Sequence, residues 1–139
     1  MAGKKYSCWK CGERMSVIAL IAPKTDDPDV GDEVCTLSSI TDMPKDLLEY
    51  IQARVPNFQM RYSKTVGDRY FANTCLKCKS LFGDFYLHSE PGEPFFPTDE
   101  NEAKELYMVE LPITDPIEIE CSYSVGTGEL IVENAQRIA

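Results

Sequence analysis

The chain has 139 residues, of which 43% are hydrophobic and 27% charged, with nine prolines and eight glycines. This composition excludes a disordered tail, a collagen-like chain and a coiled-coil rod. A chain of this length buries roughly two thirds of the surface that its unfolded form exposes, so we expect one compact domain. The net charge of −9 disfavours unassisted binding to duplex nucleic acid, because affinity there comes mainly from neutralising phosphates.

The charge is distributed unevenly along the chain. Residues 1–24 carry a net charge of +4 and residues 61–88 one of +3, whereas residues 25–60 carry −6 and residues 89–139 carry −10. Each basic block contains one CxxC motif. The total of −9 is therefore an average that describes no single surface of the protein.

No apolar run is long enough for a signal peptide or a membrane span. The longest, Val17 to Ala22, has six residues, whereas a spanning helix needs about 20. We therefore expect a cytoplasmic protein without a membrane partner. In a reducing compartment, a framework of six cysteines is better explained by metal binding or catalysis than by disulfide bonds.

The first half of the chain predicts three strands and one helix. The continuous apolar run at residues 16–22 is typical of a buried strand. Residues 44–55 have apolar positions on one helical face, with prolines at the start and just beyond the end. Alternation at residues 58–63 predicts a half-buried strand, and residues 69–74 predict another that leads into the second CxxC motif.

The second half predicts further strands and a second helix. Residues 82–88 predict a strand, and residues 91–97 a stiff loop, because they contain three prolines and a glycine. Asp99 begins a short helix that Pro112 ends. Residues 117–125 alternate as a strand, and a Gly-Thr-Gly turn joins them to a hairpin partner at 129–133. The sequence thus predicts an α+β fold with a mainly antiparallel sheet and two short helices.

The chemistry is concentrated in two motifs, Cys8-Trp9-Lys10-Cys11 and Cys75-Leu76-Lys77-Cys78. Two such turns can place four thiolates around one tetrahedral Zn²⁺, and the site then has a net charge of −2 that accounts for lysines nearby. Structural zinc contributes on the order of 10–16 kcal/mol in small peptides, comparable with the whole stability of a domain. We therefore predict one structural zinc ion, whose ligands are Cys8, Cys11, Cys75 and Cys78.

The residues that follow the two motifs differ. Gly12 suits a turn that requires a positive φ angle, whereas Lys79 occupies the equivalent position after the second motif. The two motifs therefore match each other in spacing but not in the residue best suited to close the turn.

Over about residues 6–22 and 70–88, the chain resembles split four-cysteine zinc ribbons and zinc knuckles of the rubredoxin-like class. In that class two CxxC hairpins meet at one metal ion. The 63 residues between Cys11 and Cys75 exceed the linker of a compact ribbon. Within a single domain of residues 1–139, residues 23–69 would then be an insertion and residues 89–139 an acidic C-terminal part.

A second resemblance covers the sequence from Tyr70 to Gly92, which is similar to small bacterial or phage-type proteins with paired CxxC motifs. This resemblance implies no activity.

Other uses of the cysteines and of the one histidine remain open. In a thiol–disulfide oxidoreductase the CxxC would precede a helix, but a strand-like run follows Cys11. Separate disulfides or separate metal sites are further alternatives. Cys35 and Cys121 are predicted to be small core residues. His88 is predicted to lie at an exposed strand end or in a local hydrogen bond, rather than to act as a base or ligand.

The candidate partner-binding residues are aromatic or basic, namely Trp9, Lys10, Lys77, Phe95 and Phe96. Aromatic side chains on a proline-stiffened loop make good anchors, although the same loop could instead pack on the core. We expect a non-enzymatic, zinc-stabilised binding protein for a protein partner, either an inhibitor or an accessory factor that presents an acidic surface to a basic target. A nucleic-acid-binding zinc ribbon is the other binding hypothesis.

Overall fold

The computed structural model describes residues 1–26, 28–31 and 33–138. Within these residues the chain forms nine strands and four helices, and two of the helices have seven residues or more. The strands are β1 (Ala2–Ser7), β2 (Arg14–Ala22), β3 (Cys35–Asp42), β4 (Phe58–Ser63), β5 (Asp68–Thr74), β6 (Leu81–Phe82), β7 (Tyr107–Val109), β8 (Glu120–Val125) and β9 (Gln136–Ile138). The helices are α1 (Lys45–Arg54), α2 (Asp84–Ser89), α3 (Glu100–Ala103) and α4 (Thr127–Asn134).

The strands form one sheet in the order β4-β5-β3-β2-β1-β7-β9, with β6 beside β5 and β8 beside β3. Neighbouring strands are antiparallel except for β7 and β9, which run parallel. The prediction of an α+β fold with a mainly antiparallel sheet is confirmed. The CxxC turns lie between β1 and β2 and between β5 and β6, so the sheet itself brings them together.

The first half of the chain folds largely as its pattern predicts. The predicted buried strand is β2, whose residues alternate between two core clusters, one containing Ile18 and Leu20 and the other Met15, Val17 and Ala19. Burial on both faces explains why this run is continuously apolar. The predicted helix at 44–55 is α1, and the predicted strands at 58–63 and 69–74 are β4 and β5.

The apolar face predicted for β4 is buried only at its start. Phe58 is buried and stacks on Phe71, whereas Met60 and Tyr62 are exposed. Because β4 lies at the edge of the sheet, neighbouring elements cover less of its surface, although Ser63 at its end is buried. Alternation therefore identified the strand correctly but overestimated how much of it is buried.

The strand predicted at residues 82–88 is wrong, because only Leu81 and Phe82 form a strand and α2 follows. In α2, Asp84 and Leu87 are buried, while Phe85 and Tyr86 are exposed. Residues three apart lie on one face of a helix, so a helix can bury this pair and a strand could not.

The C-terminal hairpin is also wrong, because its predicted second strand is α4. Gly128 and Ile131 form the buried face of α4. A Cβ atom on Gly128 would lie 3.0 Å from Val34 Cγ1, so the glycine lets this helix lie directly against the start of β3. The helix also gives the chain the crossover needed to pair β9 parallel with β7.

Two other predicted elements are shorter than expected. The first turn of α3 is capped as predicted, since Asp99 accepts a hydrogen bond from the Glu102 N–H at 2.9 Å, but the helix ends at Ala103 and β7 follows. The strand predicted at 117–125 begins only at Glu120, and it is mostly exposed because it lies at an edge of the sheet.

A β-bulge in β3 is held by a buried carboxylate. The register between β3 and β8 shifts between Ser38 and Asp42, and Ser39 has a φ of 49°. The Ser39 N–H donates to Asp84 Oδ2 at 2.8 Å. Burial raises the pKa of Asp84 to about 7, although the bond from Ser39 acts in the opposite direction. The folded state therefore favours the protonated form of this carboxyl.

We expect Asp84→Asn to stabilise the protein at alkaline pH but not at acidic pH. The raised pKa means that ionising Asp84 costs more free energy folded than unfolded, so the wild type loses stability as pH rises from about 4 through 7. Asparagine retains the acceptor without the charge. Denaturant unfolding at pH 5.5 and pH 8 should show the variant's advantage grow by about 1–3 kcal/mol. A pH-independent difference would contradict the prediction.

Candidate metal centre

The four cysteines of the CxxC motifs meet in one cluster. Their Sγ atoms all lie within 4.8 Å of one another. The Cys8 and Cys78 sulfurs are 3.6 Å apart, and those of Cys11 and Cys75 are 3.5 Å apart. Four sulfurs at about 2.3 Å from a tetrahedral Zn²⁺ would be ~3.8 Å from each other. Both the donor atoms and their separations fit a single tetrahedral metal ion.

The first CxxC turn, from Cys8 to Cys11, is called the first knuckle below, and the turn from Cys75 to Cys78 the second knuckle. The first knuckle is a tight turn closed by hydrogen bonds of its own backbone. The Cys8 N–H donates to Glu13 O at 2.8 Å, and the Gly12 N–H donates to Cys8 O at 2.9 Å. The Lys10 N–H points to Cys8 Sγ at 3.4 Å. A backbone donor aimed at the sulfur stabilises the thiolate form that a metal ligand requires.

The second knuckle repeats this arrangement with a different sequence. The Cys75 N–H donates to Ser80 O at 2.9 Å, and the Lys79 N–H donates to Cys75 O at 3.0 Å. The Cys78 N–H points to Cys75 Sγ at 3.4 Å. The turn closes with a φ of 65° at Lys79, close to the 78° at Gly12. The two knuckles therefore share one geometry, although only the first has glycine at the left-handed position.

Contacts around the cluster shift the pKa values of two of its thiols in opposite directions. Hydrogen bonds from the side chain and backbone of Ser80 lower the pKa of Cys78 to about 6. A backbone hydrogen bond from Glu13 acts to lower the pKa of Cys11, but partial desolvation and hydrogen bonds to the other three cysteines outweigh it and raise this pKa to about 12. A cation bound between the sulfurs would allow all four to be thiolates together.

Two buried asparagines fix the strands that carry the knuckles. Asn73 on β5 forms two hydrogen bonds with the backbone of Ile18 on β2, at 2.8 and 3.0 Å. The Asn57 side chain donates to Ser16 O at 3.0 Å and to Thr74 O at 3.1 Å. These amides connect β2 to β5 without a regular strand ladder between them. Neither residue could be identified from the sequence, since an isolated asparagine is equally typical of a turn.

The predicted partner-binding residues on the knuckles are exposed. Trp9 is 70% exposed, and its Nε1 donates to Leu81 O at 3.4 Å. Leu76, at the equivalent position of the second knuckle, is 47% exposed. Lys10 and Lys77 are exposed as well, and Lys77 lies 3.9 Å from Glu13. The surface formed by the two knuckles, called the metal end below, thus presents an apolar residue and a lysine from each knuckle.

The predicted loop at residues 91–97 packs on the core. The side chain of Phe95 is fully buried, so the expectation that it contacts a partner is corrected, while Phe96 is half-buried. The rings of His88 and Phe95 have centroids 5.0 Å apart. His88 lies in the last turn of α2 rather than at a strand end, and burial lowers its pKa to about 4. Its Nδ1 is buried and has no hydrogen-bond partner among the described residues.

The two remaining cysteines lie away from the metal cluster. Cys35 is fully buried in the cluster that contains Ile18, as predicted. Cys121 is only partly buried and packs against the same cluster from β8. Burial raises the pKa of Cys121, which keeps its thiol protonated and poorly nucleophilic.

Comparison with protein-family models, with curated proteins and with solved structures gives no match for this chain. The split CxxC cluster is therefore established by geometry alone, and the rubredoxin-like resemblance stays a prediction. Among the helices in the described residues, none is long and apolar enough to cross a membrane.

We expect Cys75→Ser to abolish stoichiometric metal binding and to lower the free energy of unfolding by more than about 3 kcal/mol. The physical reason is that one ligand is lost and the two knuckles are no longer joined. Elemental analysis of purified protein and denaturant unfolding would measure both effects. Cys121→Ser is the matched control and should retain about one metal ion per chain. Equal metal content in both variants would contradict the assignment.

A second prediction concerns the left-handed turn positions. Lys79→Gly should raise the free energy of unfolding by about 0.5 kcal/mol, and Gly12→Ala should lower it by about 1 kcal/mol, because side chains are disfavoured at positive φ. A Cβ added at Gly12 would have nothing within 4 Å, so the backbone strain at positive φ is the only cause of the expected loss of stability. Gly67→Ala, at a φ of 77° between β4 and β5, should cost similar stability while leaving metal affinity unchanged. Destabilisation by Lys79→Gly would contradict this account.

Proposed function

We propose that this chain is a non-enzymatic, zinc-stabilised binding protein that presents an acidic surface to a basic protein target. The observation that carries the proposal is the sulfur-only cluster of Cys8, Cys11, Cys75 and Cys78. Four thiolates complete a tetrahedral shell, whereas a catalytic zinc keeps one position for water or substrate. The centre therefore suits stabilisation of a binding surface better than turnover.

Zinc is the metal that we propose for this centre. Soft thiolate ligands in tetrahedral geometry favour zinc or iron, and zinc brings no redox chemistry. Two sulfur contacts, at 3.6 and 3.5 Å, join one motif to the other, which supports one shared ion over two separate redox dithiols. A thiolate cluster also needs a reducing environment, so we place the protein in the cytoplasm.

The surface proposed to bind the partner is formed by exposed carboxylates of residues 89–139. Some carboxylates of residues 89–139 are used internally: Glu93 accepts from Tyr6 at 2.8 Å, and Glu105 pairs with Lys4 at 3.0 Å. Several others are exposed, namely Glu110, Asp115, Glu118, Glu129 and Glu133. A surface with this excess of negative charge attracts basic proteins and repels nucleic acid.

Nucleic-acid binding by the metal end is the second candidate function. The observation that favours it is the exposed Trp9 ring beside Lys10, with Lys77 on the neighbouring knuckle. Aromatic stacking on unpaired bases combined with lysine contacts to phosphates is typical of single-strand binding.

Affinity capture from nuclease-treated extract of the source cells distinguishes the two candidates. The first variant carries glutamine at Glu110, Glu118, Glu129 and Glu133. The second carries glutamine at Lys10 and Lys77, and at Lys5 and Lys79, which are exposed and near the two motifs in sequence. If the acidic surface binds a basic protein, the first variant should lose the captured basic partner by about tenfold or more, and the second should retain it.

The opposite result would contradict the proposal. Loss of the partner with the lysine variant alone, together with salt-sensitive binding of purified wild type to single-stranded DNA or RNA, would support the second candidate instead. Circular dichroism and metal content of both variants should equal those of the wild type, so that a loss of binding is not a loss of fold.

A further inference from the structure

A cleft of about 360 Å³ lies between α1 and the segment that follows β7. Four of the residues that line it are apolar or aromatic: Leu47 and Tyr50 on α1, and Ile113 and Ile117 on the segment. Ile113 is 40% exposed and Ile117 is 39% exposed. Burial of these two isoleucines by a ligand would therefore remove apolar surface from water.

The wall formed by this segment is fixed at both ends. Leu111 and Ile119 are partly buried and pack against the core cluster that contains Leu47. Residues 112–118 between them are exposed, and the Ile113 N–H donates to Leu111 O at 2.8 Å. The cleft therefore has a wall positioned by the core rather than a free loop, which reduces the entropy lost on binding.

The charge of the cleft is of one sign. Asp46 and Asp115 line it, and among the described residues no basic side chain does. The nearby Lys45 does not line the cleft; its Nζ lies 4.0 Å from Glu49 Oε1, and both side chains are largely exposed. An occupant that brings a positive charge would be attracted by both carboxylates.

The aromatic ring of Tyr50 already carries a cation from this chain. The guanidinium of Arg54 lies 3.8 Å from the centroid of the Tyr50 ring. Tyr50 itself lines the cleft, whereas Arg54 does not. The ring therefore contributes apolar surface to the cleft, and the attraction for a positive charge comes from Asp46 and Asp115.

A second cleft, of about 260 Å³, lies beside the bulge in β3 and does not favour ligands of one charge sign. It is lined by Arg69 as well as by Asp68 and Glu120. Because both signs of charge are present, it indicates no particular class of ligand.

We propose that the cleft between α1 and residues 112–117 binds a short segment of a protein partner in which Lys or Arg adjoins an apolar side chain. The inference rests on the proposed function and assigns a place on the acidic surface to the basic target. The partner's cation lies beside Asp46 and Asp115, and its apolar side chain packs on Ile113 and Ile117.

The test is titration of the full-length, metal-loaded protein with an eight-residue synthetic peptide of alternating arginine and leucine. Amide chemical shifts should change at Asp46, Tyr50 and Ile113. Peptides with glutamate in place of arginine, or serine in place of leucine, should bind at least about tenfold more weakly. The loss in both comparisons is expected because the cleft offers charge and apolar surface together.

Matched variants locate the site. Asp46→Asn with Asp115→Asn should weaken peptide binding about tenfold. Asp26→Asn with Glu33→Gln removes the same charge from the exposed segment between β2 and β3, which lies outside the acidic surface, and should change the affinity by less than about twofold. Ile117→Ser should weaken binding without altering the charge.

Two outcomes would overturn the inference in different ways. If the peptide binds but the shifted amides lie on α4 and the variant at Asp46 and Asp115 binds as tightly as the wild type, the cleft is wrong while an acidic binding surface stands. If neither the arginine–leucine peptide nor any variant comparison shows binding, the cleft is wrong, and the capture experiment with the acidic variant decides the proposed function separately.

Discussion

The meeting of four sulfurs is the interaction on which the rest of this structure depends. Cys11 and Cys75 are 64 residues apart in sequence, yet their sulfurs are 3.5 Å apart. The first knuckle joins β1 to β2, and β2 lies near the middle of the sheet and is buried on both faces. The second knuckle joins β5 to β6. A cation that holds the two turns therefore fixes a central strand against the strand that carries the other turn, and stabilises the core between them.

Two buried asparagines, Asn57 and Asn73, also link the two strands that carry the knuckles. The β2 and β5 strands are not neighbours in the sheet, and without the amide of Asn73 the buried backbone groups of Ile18 would lose two hydrogen bonds. An unpaired buried backbone group costs about 1–3 kcal/mol. Asn57 adds a bond to the partly buried Ser16 O, so the two side chains together link the strands that carry the knuckles.

Features that depend on residues close in sequence could be predicted from the sequence. The spacing within each CxxC motif identified all four cysteines of the cluster, and the apolar run of β2 and the one-sided face of α1 identified those elements. The failures lie where tertiary packing decides between two local possibilities. The Leu-Ile-Val run in α4 has high strand propensity, but Gly128 allows close helix packing against β3. The aromatic residues of α2, Phe85 and Tyr86, are exposed. Their β propensity is therefore not supported by packing against a core, and the segment forms a helix.

Long-range pairing is the second reason for the failures. No local signal shows that Asp84 would hold the backbone of Ser39, or that Phe95 would enter the core beside His88. Both contacts depend on α2, which was predicted as a strand. One wrong element thus changed the expected role of several residues, while the predicted metal ligands were unaffected because each knuckle is formed by its own turn.

The charge of the metal centre connects the fold to the proposed function. With the proposed Zn²⁺ bound by four thiolates, the centre would have a net charge of −2, so the loaded protein would be two charges more negative than its formal −9. Lys10 and Lys77 lie within the motifs themselves and offset this charge locally. They therefore neutralise the centre rather than the rest of the protein, and the carboxylates of residues 89–139 have few basic residues close to them in sequence. A surface left unbalanced in this way gains most from a partner that brings the missing positive charge, and apolar contacts beside the charge would give that partner specificity.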